Sequence, residues 1–255
     1  MELPQNRLKA ALARGERQVG LWLSLADAGV AEMAGWAGLD WCLIDGEHAP
    51  NTLQTLQAQL QALAGTPASA VLRVAANDPV RLKQALDLGV QSVMVPMVST
   101  VEEAEAAVAA CRYPPEGIRG IGGSTMRASA WGDIAGYTNR ANAEICVIVQ
   151  AETVEATENA EAVAAVDGVD CVFVGPADLS ADMGYPGQAD HPDVQSAIRR
   201  IFEATMAGGA AAGIFASDVV QARAYLDAGA RFVSLGADAP LLRKAIQDRM
   251  ALVRE

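Results

Sequence analysis

The stretch Leu43-Ile44-Asp45-Gly46-Glu47-His48 is an apolar run that ends abruptly in two acids and a histidine. A second stretch, Val147-Ile148-Val149-Gln150-Ala151-Glu152, has the same form near the middle of the chain. Each apolar run is too short for a helix and predicts a buried strand. Polar side chains delivered at the carboxyl end of such a strand are typical of the mouth of an α/β barrel.

Outward from these two stretches, short apolar runs alternate with Ala-rich helical patterns along the whole chain. The predicted strands are 19–23, 41–44, 70–74, 92–96, 145–150, 171–174, 212–215 and 232–235. A leading helix near 8–14 is followed by predicted helices at 51–63, 79–88, 101–111, 154–165, 192–207, 218–228 and 240–253. Eight strand-helix units in 255 residues predict a single (β/α)8 TIM barrel with one domain over residues 1–255.

One long interruption, residues 112–143, separates the fourth unit from the fifth and is rich in Gly and Pro. A loop of this length in a compact domain is usually functional or packs on a neighbouring subunit. A passive insertion is the alternative.

The composition excludes several partner classes. The 19 basic and 31 acidic residues give a net charge of −12, which argues against nucleic acid or an anionic membrane as partner. The N-terminus lacks a basic region followed by an apolar core, and no apolar run reaches membrane-spanning length, so we expect a cytoplasmic protein. Cys42, Cys111, Cys146 and Cys171 form no Cys-x-x-Cys pair and are expected to be buried, reduced thiols.

Two carboxylates follow neighbouring predicted strands. Glu152 comes after the fifth strand and Asp178 after the sixth, and such a pair suits a hard divalent cation such as Mg²⁺ or Mn²⁺, with water and substrate oxygens as the remaining ligands. The alternative for Glu152 is an exposed residue that opens a helix, and for Asp178 it is a helix N-cap.

Arg73 and His48 are the candidate groups for charge neutralisation and proton transfer. Arg73 ends the third strand, where its guanidinium could neutralise a carboxylate or an enolate oxygen; a structural ion pair with Asp45 or Glu47 is the alternative. His48 stands beside Asp45 and Glu47, which could fix its tautomer and raise its basicity. The alternative for His48 is an ordinary hydrogen-bonding residue.

The sequence lacks the residues needed for Schiff-base catalysis and for binding a nucleotide cofactor. The three lysines, Lys9, Lys83 and Lys244, fall in predicted helices, whereas a Schiff-base lysine must project from a strand into the pocket. No Gly-x-Gly-x-x-Gly follows the first strand and no Gly-Lys-Ser/Thr occurs, so we expect no organic cofactor.

Seven motifs, spread over nearly the whole chain, carry a resemblance to one known family. They are Gly20-Leu21-Trp22, Ile44-Asp45-Gly46-Glu47-His48-Ala49-Pro50, Lys83-Gln84-Ala85-Leu86-Asp87, Val95-Pro96-Met97-Val98, Arg112-Tyr113-Pro114-Pro115-Glu116-Gly117-Ile118-Arg119-Gly120, Gln150-Ala151-Glu152-Thr153 and Phe173-Val174-Gly175-Pro176-Ala177-Asp178-Leu179-Ser180. In these motifs the chain resembles the metal-dependent pyruvate aldolases of the HpcH/HpaI aldolase family, which include 4-hydroxy-2-oxoheptanedioate and 2-dehydro-3-deoxyglucarate aldolases.

The resemblance implies a role for each matched position. Glu152 and Asp178 would hold Mg²⁺ or Mn²⁺, with Co²⁺ a further possibility. The catalytic residues would be His48, Arg73, Asp45 and Asp87, with Asp87 supporting His48. Pyruvate and the aldehyde would contact Arg73, Gln150, Gly175, Pro176, Ala177, Asp178 and Phe215. The family also implies a homohexamer, a trimer of dimers, whose subunits contribute to one another's sites through the long loop and the C-terminal helix.

The expected reaction is reversible cleavage of a 4-hydroxy-2-oxo acid into pyruvate and an aldehyde. Two alternatives stay open: a lyase on the same barrel that acts on a CoA thioester or a phosphorylated enol acid, and a non-catalytic protein that binds a 2-oxo acid. Ala151 and the segment 123–126 depart from the family pattern, which leaves the natural aldehyde undetermined because pocket walls set it.

Overall fold

Eight parallel strands close into a barrel in which each strand pairs with the next and β8 returns to β1. The computed structural model describes residues 1–254. The strands are β1 Gln18–Leu23, β2 Trp41–Asp45, β3 Ser69–Arg73, β4 Ser92–Val95, β5 Cys146–Ala151, β6 Val169–Val174, β7 Ala211–Phe215 and β8 Phe232–Ala237. The predicted α/β barrel and its eight strands are confirmed.

Helices connect the strands on the outside of the barrel. They are α1 Arg7–Ala13, α2 Ala28–Gly35, α3 Leu53–Leu63, α4 Pro79–Asp87, α5 Val101–Cys111, α6 Tyr137–Arg140, α7 Val154–Ala164, α8 Pro176–Asp182, α9 Pro192–Gly208, α10 Val219–Asp227 and α11 Asp238–Arg254. The sequence did not predict the short helices α2, α6 and α8.

The segment between α5 and β5 contains more structure than the predicted loop. It carries the short helix α6 and 3₁₀ turns at Gly123–Thr125, Arg127–Gly132 and Ala141–Glu144. Its apolar side chains form a small core of their own around Tyr113, Met126, Ile134, Tyr137 and Ala141. The segment therefore folds as a compact cap at the end of the barrel where the strands begin.

The barrel interior is filled by large aromatic rings. The ring of Trp41 stacks on Phe232 with centroids 4.1 Å apart, and Phe173 meets Phe232 edge-on at 5.8 Å. Gly20 on β1 faces this layer, where a Cβ atom would overlap the indole ring and the carbonyl oxygen of Trp41. Close packing of this kind leaves little room for an added methyl group.

The first helix closes the amino-terminal end of the barrel. Leu8 and Leu12 of α1 pack into the interior cluster. The ammonium group of Lys9 lies 2.7 Å from a carboxylate oxygen of Asp170 and also donates to the carbonyl of Ile145. Because α1 fills this end, the opposite end, where the strands finish, is the one that remains open.

All four cysteines are free and buried, as expected. Burial raises the pKa of Cys42 and of Cys111 to about 12, so these thiols stay protonated and unreactive at neutral pH. Within residues 1–254, no helix combines the length and the apolarity that a membrane crossing requires.

We predict that Gly20→Ala destabilises the protein by about 1–3 kcal/mol, because Trp41 is fully buried and cannot move aside. Urea unfolding followed by tryptophan fluorescence measures this loss. Gly65→Ala is the matched control, since its Cβ would meet nothing within 4 Å. Equal midpoints for the two variants would contradict the packing argument.

Candidate active site

Arg73 and Asp45 tie the ends of β3 and β2 together at the mouth of the barrel. The two residues are partners in the strand register. Nε and Nη2 of Arg73 donate to the two oxygens of Asp45 at 2.9 and 2.7 Å, and Nη1 lies 2.7 Å from Oε2 of Glu47. The structural ion pair that the sequence allowed for Arg73 is thus present. A guanidinium has five N–H donors, so two remain for a ligand.

Asp45 also shapes the turn that carries His48. Its carboxylate accepts the backbone N–H groups of Glu47 at 3.0 Å and His48 at 3.3 Å, while its carbonyl accepts from the side chain of Asn51. The imidazole of His48 is 69% exposed, with Nε2 3.7 Å from Glu47 Oε2. His48 therefore stands at the rim of the mouth, beside a carboxylate and open to solvent.

Glu152 is a buried carboxylate with neutral hydrogen-bond donors. Its oxygens accept from Gln150 Nε2 at 2.7 Å and from the backbone N–H of Met97 at 3.1 Å. Burial raises the pKa of Glu152 to about 7; the Met97 N–H opposes this shift, and the negative charges of Asp178 and Glu47 add to it. Glu152 is therefore not the exposed helix-opening residue that the sequence also allowed.

Asp178 lies in the first turn of α8 and its side chain is exposed. Across residues 1–254 its carboxylate makes no hydrogen bond, and the N-cap position of α8 is occupied by Gly175, without a side-chain cap. The N-cap alternative for Asp178 is therefore wrong. A Cβ at Gly175 would overlap Oε1 of Glu152, so only glycine lets this loop approach the buried carboxylate.

The donor set fits a hard divalent cation. Glu152 and Asp178 supply carboxylate oxygens, and the buried Oε1 of Gln150 has no hydrogen-bond partner. Within the described chain no group of three or more His, Cys, Asp or Glu side chains could hold a metal ion. A cation bound by two protein carboxylates would complete its coordination with water and substrate oxygens, which Mg²⁺ commonly does.

Aromatic rings lie next to these polar groups. The ring of Trp22 lies 5.4 Å from that of Phe173 and 5.5 Å from that of Phe215, and the guanidinium of Arg73 sits 5.2 Å from the Trp22 ring centre. Phe215, a predicted contact residue, thus belongs to an apolar floor under the charged groups.

Within one chain, Asp87 lies far from the polar groups at the mouth of the barrel. It is the last residue of α4, and a nine-residue helix carries it roughly 13 Å back toward the end where the strands begin. There its carboxylate accepts from Nη2 of Arg119 at 2.8 Å. Within one chain Asp87 and His48 therefore lie at opposite ends of the barrel, and the support of His48 by Asp87 that the resemblance implies stays a prediction.

The sequence assigned no catalytic or binding role to three contributors to the site. Glu47 was noted as a neighbour of His48 and as an alternative ion-pair partner of Arg73; it binds Arg73 and also influences Glu152. Trp22 was noted only as part of the motif Gly20-Leu21-Trp22. Met97 contributes a backbone N–H from a left-handed conformation, with φ of 53°, and a methionine gives no sequence signal for such a turn.

A family model described as HpcH/HpaI aldolase/citrate lyase matches residues 18–245. The chain belongs to this family. A hydroxypyruvate/pyruvate aldolase of Pseudomonas aeruginosa is 49% identical over 248 residues, covering 97% of this chain and 92% of that protein. A 4-hydroxy-2-oxo-heptane-1,7-dioate aldolase of Escherichia coli is 50% identical over 243 residues, covering 95% and 93%. A family crystal structure from Burkholderia cenocepacia J2315 has a TM-score of 0.96 at 42% identity, covering 98% of this chain and 100% of that one. The family resemblance seen in the sequence is thereby confirmed.

We predict that cation-free protein loses stability as the pH rises from about 5 to 8. The folded state holds a proton on Glu152 up to a pKa of about 7, above the ordinary value of 4.5. The stabilisation from protonated Glu152 is therefore complete below pH 4.5 and is lost as the pH rises through 7. Each unit by which the pKa is raised on folding contributes about 1.4 kcal/mol to the free energy of unfolding.

Urea unfolding at several pH values, in chelator, measures this effect. Glu152→Gln should show a flatter pH dependence than the wild type, while Glu155→Gln, an exposed carboxylate in α7, should follow the wild type. Parallel curves for wild type and Glu152→Gln would contradict the assignment.

Proposed function

We propose that this protein is a metal-dependent pyruvate aldolase, which cleaves 4-hydroxy-2-oxo acids reversibly into pyruvate and an aldehyde. The observation that carries the proposal is the buried Glu152, with Gln150 and Asp178 beside it, at the same mouth as the Arg73 cluster. Both named relatives at 49–50% identity are aldolases, which makes this chain a carbon–carbon lyase.

Glu152 and Asp178 would hold a divalent cation, Mg²⁺ or Mn²⁺, with Co²⁺ as a third candidate. When bound, the cation polarises the 2-oxo group and stabilises the negative charge that develops there during bond cleavage. Gln150 orients Glu152 through its amide N–H, and its unpartnered Oε1 can accept a hydrogen bond from a ligand. The glycine at position 175 keeps the approach to Glu152 open.

Arg73 would steady the oxygen on which charge accumulates. Its two unused N–H donors are available, and the ion pairs with Asp45 and Glu47 fix the plane of the guanidinium before the substrate arrives. Donors held in place in this way need no reorganisation during the reaction. Asp45 thus acts by positioning Arg73 and the turn before His48. Residues 175–178 and Phe215 would form the substrate-binding wall.

His48 would move the proton. In cleavage its imidazole accepts the proton of the 4-hydroxyl, the bond between C3 and C4 breaks, and its electron pair passes into the 2-oxo acid fragment. The aldehyde departs, and the imidazolium of His48 would give the proton to C3, which completes pyruvate and restores the neutral imidazole. The same imidazole returns the proton to the new alkoxide in the synthetic direction, as reversibility requires.

The C-terminal helix supports assembly with further copies of this chain. From residue 240 to 254 every residue of α11 is exposed, including the apolar stripe Leu242, Ile246, Met250 and Val253. The outward-facing Leu21 of β1 and Leu235 of β8 are only partly buried, whereas Ile44 of β2 is fully buried. We propose that α11 of a second copy covers this face, within the homohexamer that the family implies.

Assembly also offers Asp87 a role. Since Asp87 lies at the far end of its own barrel, it can support His48 only across a subunit contact, with one copy placing its amino-terminal end against the mouth of another. We propose this arrangement for Asp87. It explains how one side chain can serve a reaction that takes place at the other end of the fold.

The proposed activity predicts release of pyruvate from a 4-hydroxy-2-oxo acid in the presence of Mg²⁺ or Mn²⁺, with full loss in chelator. Asp178→Asn and Glu152→Gln should lower kcat by at least about 10²–10³-fold and weaken Mn²⁺ binding. Coupled lactate dehydrogenase measures pyruvate, and titration calorimetry measures Mn²⁺. Glu203→Gln, an exposed carboxylate in α9, is the control and should leave both unchanged.

A malyl-type CoA thioester, assayed beside the 4-hydroxy-2-oxo acid, tests the alternative lyase. Cleavage of the thioester alone would overturn the pyruvate aldolase proposal. Binding of pyruvate without turnover of either substrate would show a non-catalytic protein.

The assembly proposal predicts that Leu242→Glu combined with Ile246→Glu dissociates the oligomer, because both side chains belong to the exposed stripe of α11. Light scattering after size-exclusion chromatography measures the mass. Gln247→Glu, which adds one negative charge to the same helix, should leave the mass unchanged. An unchanged mass in the double variant would contradict the role of α11.

A further inference from the structure

Arg119 is a fully buried arginine outside the site described above. Its side chain has 0% exposure, and its guanidinium carbon lies 4.3 Å from the ring centre of Tyr113. Nη2 donates to Oδ1 of Asp87 at 2.8 Å, while Nε and Nη1 have no hydrogen-bond partner among the described residues. The burial of this guanidinium is therefore compensated by one carboxylate, with Tyr113 and Tyr137 as its aromatic neighbours.

Such an arrangement is a poor source of stability. A buried ion pair returns its desolvation cost only when the remaining donors are also satisfied, and an apolar side chain of similar volume is often no less stabilising. Two N–H-bearing nitrogens of Arg119 are unsatisfied. A function that depends on the position of Asp87 would account for keeping the charge.

The backbone around Arg119 is held firmly against α5. The N–H of Arg119 donates to the carbonyl of Arg112 at 2.9 Å, and the N–H of Ile118 donates to that of Ala109 at 2.8 Å. A Cβ at Gly117 would overlap both of these carbonyl oxygens. The guanidinium is therefore fixed to the rigid end of a helix rather than carried by a mobile loop.

Asp87 is fixed on one side and open on the other. Its Oδ1 is occupied by Arg119, its Oδ2 accepts no hydrogen bond within residues 1–254, and its side chain is 28% exposed. A carboxylate at the C-terminal end of a helix is disfavoured by the helix dipole, which Arg119 offsets. The pair thus presents one oriented carboxylate oxygen at the surface.

We propose that Arg119 is a positioning residue of the lyase reaction: it holds Asp87 so that the unpaired oxygen meets the imidazole of His48 in a neighbouring copy. This inference rests on the proposed function and on the subunit contact proposed for Asp87. Arg119 touches neither substrate nor cation. It acts through Asp87. Each shared site takes Asp87 from one copy and His48 from its neighbour, so a substitution of Arg119 impairs only the sites to which its own copy contributes Asp87.

The test is complementation between an inactive variant and an impaired one. His48→Ala and Arg119→Met, each with a different affinity tag, are co-expressed, and oligomers carrying both tags are isolated. Arg119→Met alone should lower kcat about 10–100-fold with KM and Mn²⁺ affinity nearly unchanged, as for other residues that orient a functional side chain. The mixed oligomer should recover about one quarter of wild-type activity, since random pairing leaves one site in four with both halves intact.

Two further mixtures distinguish failure of the role of Arg119 from failure of the shared site. Asp87→Asn with His48→Ala should recover activity, and Asp87→Asn with Arg119→Met should not, because both changes damage the same half. If the first mixture recovers activity and the Arg119→Met mixture with His48→Ala does not, the role of Arg119 is overturned while the subunit contact stands. If neither recovers, the shared site itself fails; absence of wild-type turnover refutes the aldolase.

Should Arg119→Met fail to fold, Arg119→Lys replaces it in the same mixtures, since it retains the buried charge without the planar fork. A drop in kcat that complementation does not rescue would again overturn the role of Arg119.

Discussion

The fork of Arg73 on Asp45 is the interaction on which the mouth of the barrel depends. It joins the last residues of two neighbouring strands through a pair of parallel hydrogen bonds at 2.9 and 2.7 Å. The same carboxylate accepts the backbone N–H groups that lead to His48. Removing the charge of Arg73 would leave the carboxylate of Asp45 buried without its ionic partner, at a cost of about 3–5 kcal/mol. The orientation of Glu47 and the position of His48 both follow from this one ion pair.

A second constraint is the buried carboxylate of Glu152, which, unlike Arg73, has no oppositely charged hydrogen-bond partner. Arg73 has two acids to neutralise it, whereas Glu152 has only the neutral donors Gln150 and Met97 and feels the negative charges of Asp178 and Glu47. Its charge can be compensated by a proton or by a cation. Oxygen ligands of this kind favour hard divalent ions. The barrel therefore concentrates unneutralised negative charge where a cation can enter, next to a fixed positive charge.

Much of this arrangement could be predicted from the sequence, because Asp45, Arg73 and Glu152 each stand at or just after the end of an apolar run and show where that strand leaves the core. Eight such runs were enough for the barrel. The helix α2 was missed because its two glycines lower the helix propensity, and α8 was missed because the pair Gly175-Pro176 is typical of a turn. The backbone N–H of Met97 could not be foreseen, because its left-handed conformation follows from tertiary contacts and not from the residue type. Asp87 shows a different limit: the family motif identified the residue but not the end of the barrel, which the direction of α4 determines.

That direction makes the proposed assembly part of the chemistry. In a parallel barrel every connecting helix returns to the end where strands begin, so a group at the C-terminus of α4 cannot serve the mouth of its own chain. The proposed contact between the amino-terminal end of one copy and the mouth of another would place Asp87 and His48 side by side. The exposed apolar stripe of α11 gives such copies a reason to associate that does not depend on the site. Assembly energy from α11 would then hold the two halves together, and the weak polar contact between Asp87 and His48 needs only to orient the imidazole.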